Sequence, residues 1–304
     1  MDNFKYYDIL INENCTLDCT FCCLGKKSHK IIDINKLLHM LPQDYVNIHI
    51  AGEPLASIKS TKILYTLLNH LDTMYNKEVA MTTNLAYELT DTRLACLNMV
   101  DKIKTSFNIK HRFGNIHNLL LWRRNVRKLS QSRRIEIIVS LDNYTLRAHN
   151  PAEYDSFFRS LGNKLEYRYV PYIPYGNGDH EDLQPTKEEF RKFIKDSMIF
   201  RSEFYKDDRR YISFDKRNLT DDYYKTLSCN YCTNSDGRVT ECIDTDCNIV
   251  TCLMDKECKI PYLIRTKEIE YICPHLCYLL DEGEDILKII VDDIDDLKKK
   301  GVIK

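Results

Sequence analysis

Three cysteines stand close together near the start of the chain, in the run Cys15-Thr-Leu-Asp-Cys19-Thr-Phe-Cys22, a C-x3-C-x2-C spacing. Thiolates suit zinc and iron–sulfur clusters, and three thiolates from one short loop hold three corners of a 4Fe-4S cube. The fourth iron then stays open to an outside ligand. Zinc ordinarily takes paired C-x2-C knuckles or a nearby histidine as fourth ligand, and this loop offers neither. Cys23 adds a spare thiol. Zinc and unligated thiols are the competing readings of the loop.

A second cysteine group occupies the other end of the chain. Cys229, Cys232, Cys242, Cys247, Cys252, Cys258, Cys273 and Cys277 place eight thiols in 49 positions, with polar turn residues between them. Such a segment has too little apolar mass to fold alone, so metal is expected to organise it. Eight thiolates fill two four-ligand clusters, and a zinc scaffold is the alternative. Cys232 to Cys242 reads as a hairpin turning at Asp236-Gly237 with a cysteine on each arm. Cys96 sits in an apolar helical stretch and is expected to be a buried core thiol.

The elements that must position these groups follow from periodicity. Short apolar runs alternate with helical patterns up to about residue 200, the signature of repeated strand–helix units and a parallel sheet. Six strands are expected: Tyr7–Ile11, Val46–Ala51, Val79–Thr83, Ile103–Asn108, Ile135–Leu141 and Leu165–Val170. Helices fall between them, among them Ser57–Leu71 and Ile116–Leu129. The fold class is α/β, a partial (β/α)6 TIM-like barrel over residues 1–200. A helix opening near Thr186, with Glu189 completing a capping box, leads into a small cysteine-rich domain over residues 201–304 that ends in a helix.

Composition narrows the partners. With 304 residues, 43% hydrophobic content and a net charge of -1, the chain can fill an ordinary core and has no global field toward nucleic acid or membrane. Neither a bilayer-length apolar run nor a signal-peptide layout is visible, so the expected location is cytoplasmic with no membrane partner. There, thirteen cysteines point to metal or redox chemistry rather than disulfides.

The cysteine loop resembles that of the radical S-adenosylmethionine (radical SAM) superfamily, with Phe21 at the aromatic place before the third cysteine. The resemblance extends through the first domain. Ala51-Gly52-Glu53-Pro54 at the end of the second strand is similar to the family's G-G-E-P, with Ala51 in place of the first glycine. A small residue and a glycine let backbone approach the methionyl group of SAM, and a carboxylate or carbonyl accepts from its ammonium. The resemblance also implies SAM contacts from Thr83, Asn84, Ser106, Asn108, Ser140, Asn143 and Val170, all at strand C-terminal ends, where barrel enzymes place ligands. It implies that the cluster, once reduced, cleaves SAM to a 5'-deoxyadenosyl radical, with a flavodoxin or ferredoxin as reductant. The C-terminal cysteines resemble the SPASM and twitch extensions, which carry one or two auxiliary 4Fe-4S clusters. Only pieces of that pattern are present, Cys252-x5-Cys258 and Cys273-x3-Cys277.

Further features have bland readings. Arg123, Arg124, Arg127, Lys128, Arg133 and Arg134 form a basic cluster, expected to be a solvated helix end, with phosphate binding as the alternative. Tyr167, Tyr169, Tyr172 and Tyr175 are expected to pack around the sixth strand, with a barrel-mouth donor role as the alternative. The acidic run Asp292–Asp296 followed by lysines reads as part of the exposed terminal helix. Together these features lead to radical modification of a peptide or protein by epimerisation, crosslinking or oxidation. With 14 residues before Cys15, no leader-recognition domain is expected at the N-terminus. Radical modification of a nucleotide or nucleic-acid base is the alternative, and a non-catalytic iron–sulfur or zinc scaffold a third.

Overall fold

A computed structural model of the chain describes residues 5–20, 22, 28–41, 46–74, 77–162, 165–172 and 240–250, together with scattered positions between 181 and 196 and residue 299. Five strand–helix units and a sixth strand come first. β1 (Lys5–Leu10), β2 (Val46–Ala51), β3 (Lys77–Thr82), β4 (Lys102–Phe107), β5 (Ile135–Leu141) and β6 (Leu165–Pro171) pair in sequence order, every pair parallel. α1 (Ile34–Met40), α2 (Ile58–Asp72), α3 (Asp91–Met99) and α4 (Ile116–Leu129) follow the first four strands, and α5 (Asn143–Ala148) and α6 (Pro151–Arg159) both follow β5. This is the expected parallel partial barrel.

Local chemistry explains where the helices start. Ser57 caps α2 through a reciprocal pair with Ser60, and Asn150 caps α6 through one with Glu153, with Pro151 in the first turn. Asn115 accepts from the Asn118 N–H at the head of α4. The buried positions of α2, Leu64, Leu67, Leu68 and Leu71, recur at three and four and face the sheet. The Thr186–Glu189 capping box forms in both directions, Glu189 N–H to Thr186 Oγ1 at 3.2 Å and Thr186 N–H to Glu189 Oε2 at 3.0 Å.

One face of the sheet is apolar and packs on the helices. Ile9, Ile50, Met81, Ile103, Val139 and Trp122 are fully buried there, each apolar side chain contributing about 2 kcal/mol. Trp122 of α4 packs against Phe107 at 5.0 Å and donates its indole N–H to Thr105 at 3.1 Å. Tyr167, Tyr169 and Tyr172 are buried, the first two within an aromatic cluster with Phe158 and Phe193; Tyr175 lies outside the described residues. Cys96 is fully buried on α3, as expected.

The sheet is larger than six strands. β7 (Thr240–Ile243) lies parallel to β1 on its outer edge, and β8 (Ile249–Val250) pairs antiparallel with β7. Without β7, the edge of β1 would leave a row of N–H and C=O groups without partners. Cys242 lies on this strand, and the hairpin seen around it runs from β7 to β8 through residues 244–248; the arm expected at Cys232, with Asp236-Gly237, is outside the described residues. No helix among the described residues is long and apolar enough to cross a membrane.

Candidate active site

The C-terminal ends of β1, β2 and β3 meet at the cysteine loop. Leu17 is buried and anchors it, while Cys15, Cys19 and Cys22 on either side remain half-buried. The sulfur of Cys15 accepts from the Leu17 N–H at 3.4 Å and from the Asn84 side-chain amide at 3.5 Å. Cys19 donates to the Arg112 carbonyl at 3.3 Å, and Thr20 N–H donates to the His111 carbonyl at 3.1 Å, so the turn after β4 braces the loop. Burial, reinforced by the Glu53 carboxylate, pushes the Cys15 thiol up to about 11. A bound cation is what would hold that sulfur as thiolate.

Among the described residues no three His, Cys, Asp or Glu side chains converge to hold one metal ion. Cys15, Cys19 and Cys22 are three half-buried thiols on one loop, with N–H groups donating to the first sulfur, a donor set whose chemistry suits an iron–sulfur cluster. Phe21 and Cys23 lie outside the described residues, as do Cys229, Cys232, Cys252, Cys258, Cys273 and Cys277.

Gly52 follows β2 with φ +82°, and a Cβ there would stand 2.5 Å from the Asn12 carbonyl oxygen. Only glycine fits this crossing of the β1 and β2 ends. Asn12 is fully buried and its side-chain amide donates to the Glu53 carbonyl at 2.8 Å. Glu53 turns inward: Oε1 accepts from the Thr83 hydroxyl at 2.7 Å and Oε2 from the Asn84 N–H at 2.5 Å. Burial raises its carboxyl to about 7, and those hydrogen bonds together with Arg112 oppose the rise. Glu53 therefore ties the end of β2 to the end of β3. Pro54 is buried beside it.

The Asn84 side chain reaches the cysteine loop twice, at Cys15 and at the Thr16 hydroxyl (2.8 Å), while its Oδ1 accepts from the Ala86 N–H. The next residue, Leu85, holds φ +54°, a conformation uncommon outside glycine. Asn125 of α4 secures it by donating to the carbonyls of Leu85 and Tyr87 at 2.9 and 2.6 Å. Backbone strain held in place by a buried amide is a feature of positioned sites.

The remaining expected contacts divide into two kinds. Ser106 on β4 and Ser140 on β5 are half-buried at adjacent strand ends. Asn108 is buried and fully engaged: its amide donates to the Ser140 carbonyl and Asp142, and its oxygen accepts from Lys110 and His111. Asn143 donates to the Asp182 carbonyl. Val170 lies on β6, with its side chain outside the described set.

Several groups at this rim carried no sequence signal. His49 on β2 bonds Asp8 of β1 through Nδ1 at 2.6 Å and Thr82 of β3 through Nε2 at 2.8 Å, a polar row across three strands. His111 and Arg112 follow β4, and their position at a strand C-terminal end was the available clue. The basic cluster is largely consumed by structure: Arg124 pairs with Glu88, Arg134 with Glu166, and Arg127 and Arg133 donate to backbone carbonyls. Cys242 and Cys247 are both buried, and the Cys247 thiol donates to the Asp33 carbonyl at 3.5 Å.

This arrangement defines a class of fold: a parallel partial barrel with a three-cysteine loop at the C-terminal rim of its strands. Comparison of the sequence with family profiles and with curated proteins finds no match. Solved structures share the fold. Native anSMEcpe with bound AdoMet and Cp18Cys peptide aligns with TM-score 0.61 at 15% identity, over 82% of this chain and 74% of that one. Streptococcus suis SuiB bound to precursor peptide SuiA aligns with TM-score 0.60 at 13% identity, over 90% of this chain and 66% of that one.

Proposed function

We propose that this chain is a radical SAM enzyme acting on a peptide or protein substrate. The observation that carries the proposal is the junction of Cys15, Asn84 and Glu53, which joins the C-x3-C-x2-C loop to the ends of β2 and β3. Fold likeness to one structure containing AdoMet and peptide and to another containing a precursor peptide supports it. When bound, a 4Fe-4S cluster and SAM supply a 5'-deoxyadenosyl radical that takes hydrogen from a substrate C–H bond.

The chain's own residues would do the rest. Cys15, Cys19 and Cys22 hold the cluster and leave one iron open. Gly52, whose missing Cβ lets the ends of β1 and β2 come together, shapes the rim, and Ser106 and Ser140 supply hydroxyls along it. Glu53, with both oxygens engaged by Thr83 and Asn84, holds this rim together. Cysteines between Cys229 and Cys277 other than Cys247, whose thiol donates to the Asp33 carbonyl, would bind auxiliary clusters in a domain beginning near residue 201, and a flavodoxin or ferredoxin would supply the electron.

Anaerobic incubation of reconstituted protein with SAM, dithionite and peptide pools tests the proposal. The expected result is 5'-deoxyadenosine and a peptide product. Turnover of nucleotides or oligonucleotides instead, with a steep salt dependence, would transfer the assignment to the nucleotide alternative.

A further inference from the structure

The cysteine loop closes on itself at its base. Asn12 and Ile31 form an antiparallel bridge, Glu13 N–H donates to the Lys30 carbonyl at 3.1 Å, and Ile32 N–H donates to the Ile11 carbonyl at 2.9 Å. Cys15, Cys19 and Cys22 lie between these two stems. The turn between β7 and β8 lies against both of them.

Thr245 Oγ1 donates to Glu13 Oε1 at 2.8 Å, although the two residues are 232 positions apart. The other oxygen of Glu13 accepts from Ser28 at 2.5 Å, so one carboxylate joins the outgoing stem, the returning stem and the turn. Asp246 takes Lys30 Nζ on its carboxylate at 2.8 Å and Lys36 Nζ on its carbonyl at 2.9 Å. Cys247 donates its thiol to the carbonyl of Asp33, the residue that caps α1. Each of Thr245, Asp246 and Cys247 thus touches a different point around the loop's base.

The turn is built to keep that shape. Asp244 is buried; its Oδ1 accepts from the N–H groups of Asp246 and Asn248, and its carbonyl accepts from Cys247 N–H at 3.0 Å. Pairing of Asp8 with Cys242 and Ile9 with Ile243 sets the height of the turn beside the end of β1. A shift of β7 by one residue would carry Thr245 away from Glu13.

We infer that the Asp244–Asn248 turn clamps the cysteine loop, with Thr245 and Asp246 as positioning residues that hold Glu13 and Lys30 and so fix the loop for its cluster. This rests on the proposed cluster at Cys15, Cys19 and Cys22. The C-terminal half thereby acts on cluster retention without touching the cluster.

The test uses the full chain, reconstituted anaerobically, with T245V/D246A, the milder T245V alone, and T245S. SAM itself is the probe: the reduced cluster with an open iron changes its electron paramagnetic resonance signal when SAM is added, and its loss to a chelator is timed. In T245V/D246A the SAM-responsive signal should decay about tenfold faster, the loss expected for one or two polar contacts. T245V should lie between that variant and the parent, and T245S should restore the parent rate. Apo-protein melting should stay close to that of the parent. Equal retention in parent and T245V/D246A overturns the clamp, as does a fall in apo melting with no change in the SAM response. If T245V/D246A fails to fold, T245V alone decides by the same criteria. A parent protein without any SAM-responsive signal overturns the cluster assignment itself, a different failure from the loss of the clamp.

Discussion

The side-chain amide of Asn84, at the end of β3, lies 3.5 Å from the sulfur of Cys15 and 2.8 Å from the Thr16 hydroxyl. A residue 69 positions away from Cys15 thereby contacts its sulfur, the first ligand of the proposed cluster. Replacing it with alanine removes both donors and the acceptor for Ala86 N–H, at a cost of about 2 kcal/mol. N84A should fold, lose its SAM-responsive cluster faster than the parent, and form less 5'-deoxyadenosine at equal iron. Iron content and product yield, measured together, check this.

Gly52→Ala places a methyl 2.5 Å from the Asn12 carbonyl at a backbone φ of +82°. Strain and clash together should destabilise the fold by roughly 2–4 kcal/mol. Urea unfolding of the apo protein measures it; a change below about 0.5 kcal/mol would show that the crossing of β1 and β2 relaxes freely.

Glu53→Gln should change how stability depends on pH. The carboxyl of Glu53 stands at about 7 in the fold because burial disfavours its charge, against 4.5 when exposed. Between those values the folded state binds the extra proton, so parental stability falls as pH rises through that window. The uncharged amide of the variant has no such loss. Relative to parent, the E53Q apo protein should gain stability between pH 4 and pH 8, by on the order of 3 kcal/mol. Denaturation series at the two pH values give the sign directly; an equal difference at both would place the Glu53 carboxyl near its ordinary value.

Much of this architecture was visible in the residues. The six runs became β1 to β6 because alternate residues, such as the buried Ile103, Thr105 and Phe107 of β4, line the face that packs on the helices, and α4 begins at Ile116 because Asn115 is a good cap. The cysteine loop and Gly52 were legible because spacing and a required positive φ leave marks in the sequence. β7 was not. Thr-Glu-Cys-Ile is too short for periodicity, and its partner β1 lies at the opposite end of the chain. Asn12, Asn125 and Thr245 are ordinary polar residues whose roles arise from the groups that enclose them. Asn108 was expected at the ligand, and the structure shows its amide and oxygen occupied by neighbouring strand ends.

The C-terminal cysteines should raise the metal content above one cluster. Reconstituted protein is expected to carry clearly more than four irons per chain, and the C15A/C19A/C22A variant should retain the excess. Mössbauer spectroscopy and metal analysis check the count. About four irons in the parent, or stoichiometric zinc, would remove the auxiliary clusters from the account.

The most direct measurement is 5'-deoxyadenosine formation by the parent chain and by C15A/C19A/C22A under the same anaerobic, dithionite-reduced conditions. The account predicts product from the parent and none above background from a soluble, folded triple variant, because the open-iron site is the device that activates SAM. Undiminished 5'-deoxyadenosine from the triple variant, or none from a parent fully loaded with iron, would contradict it.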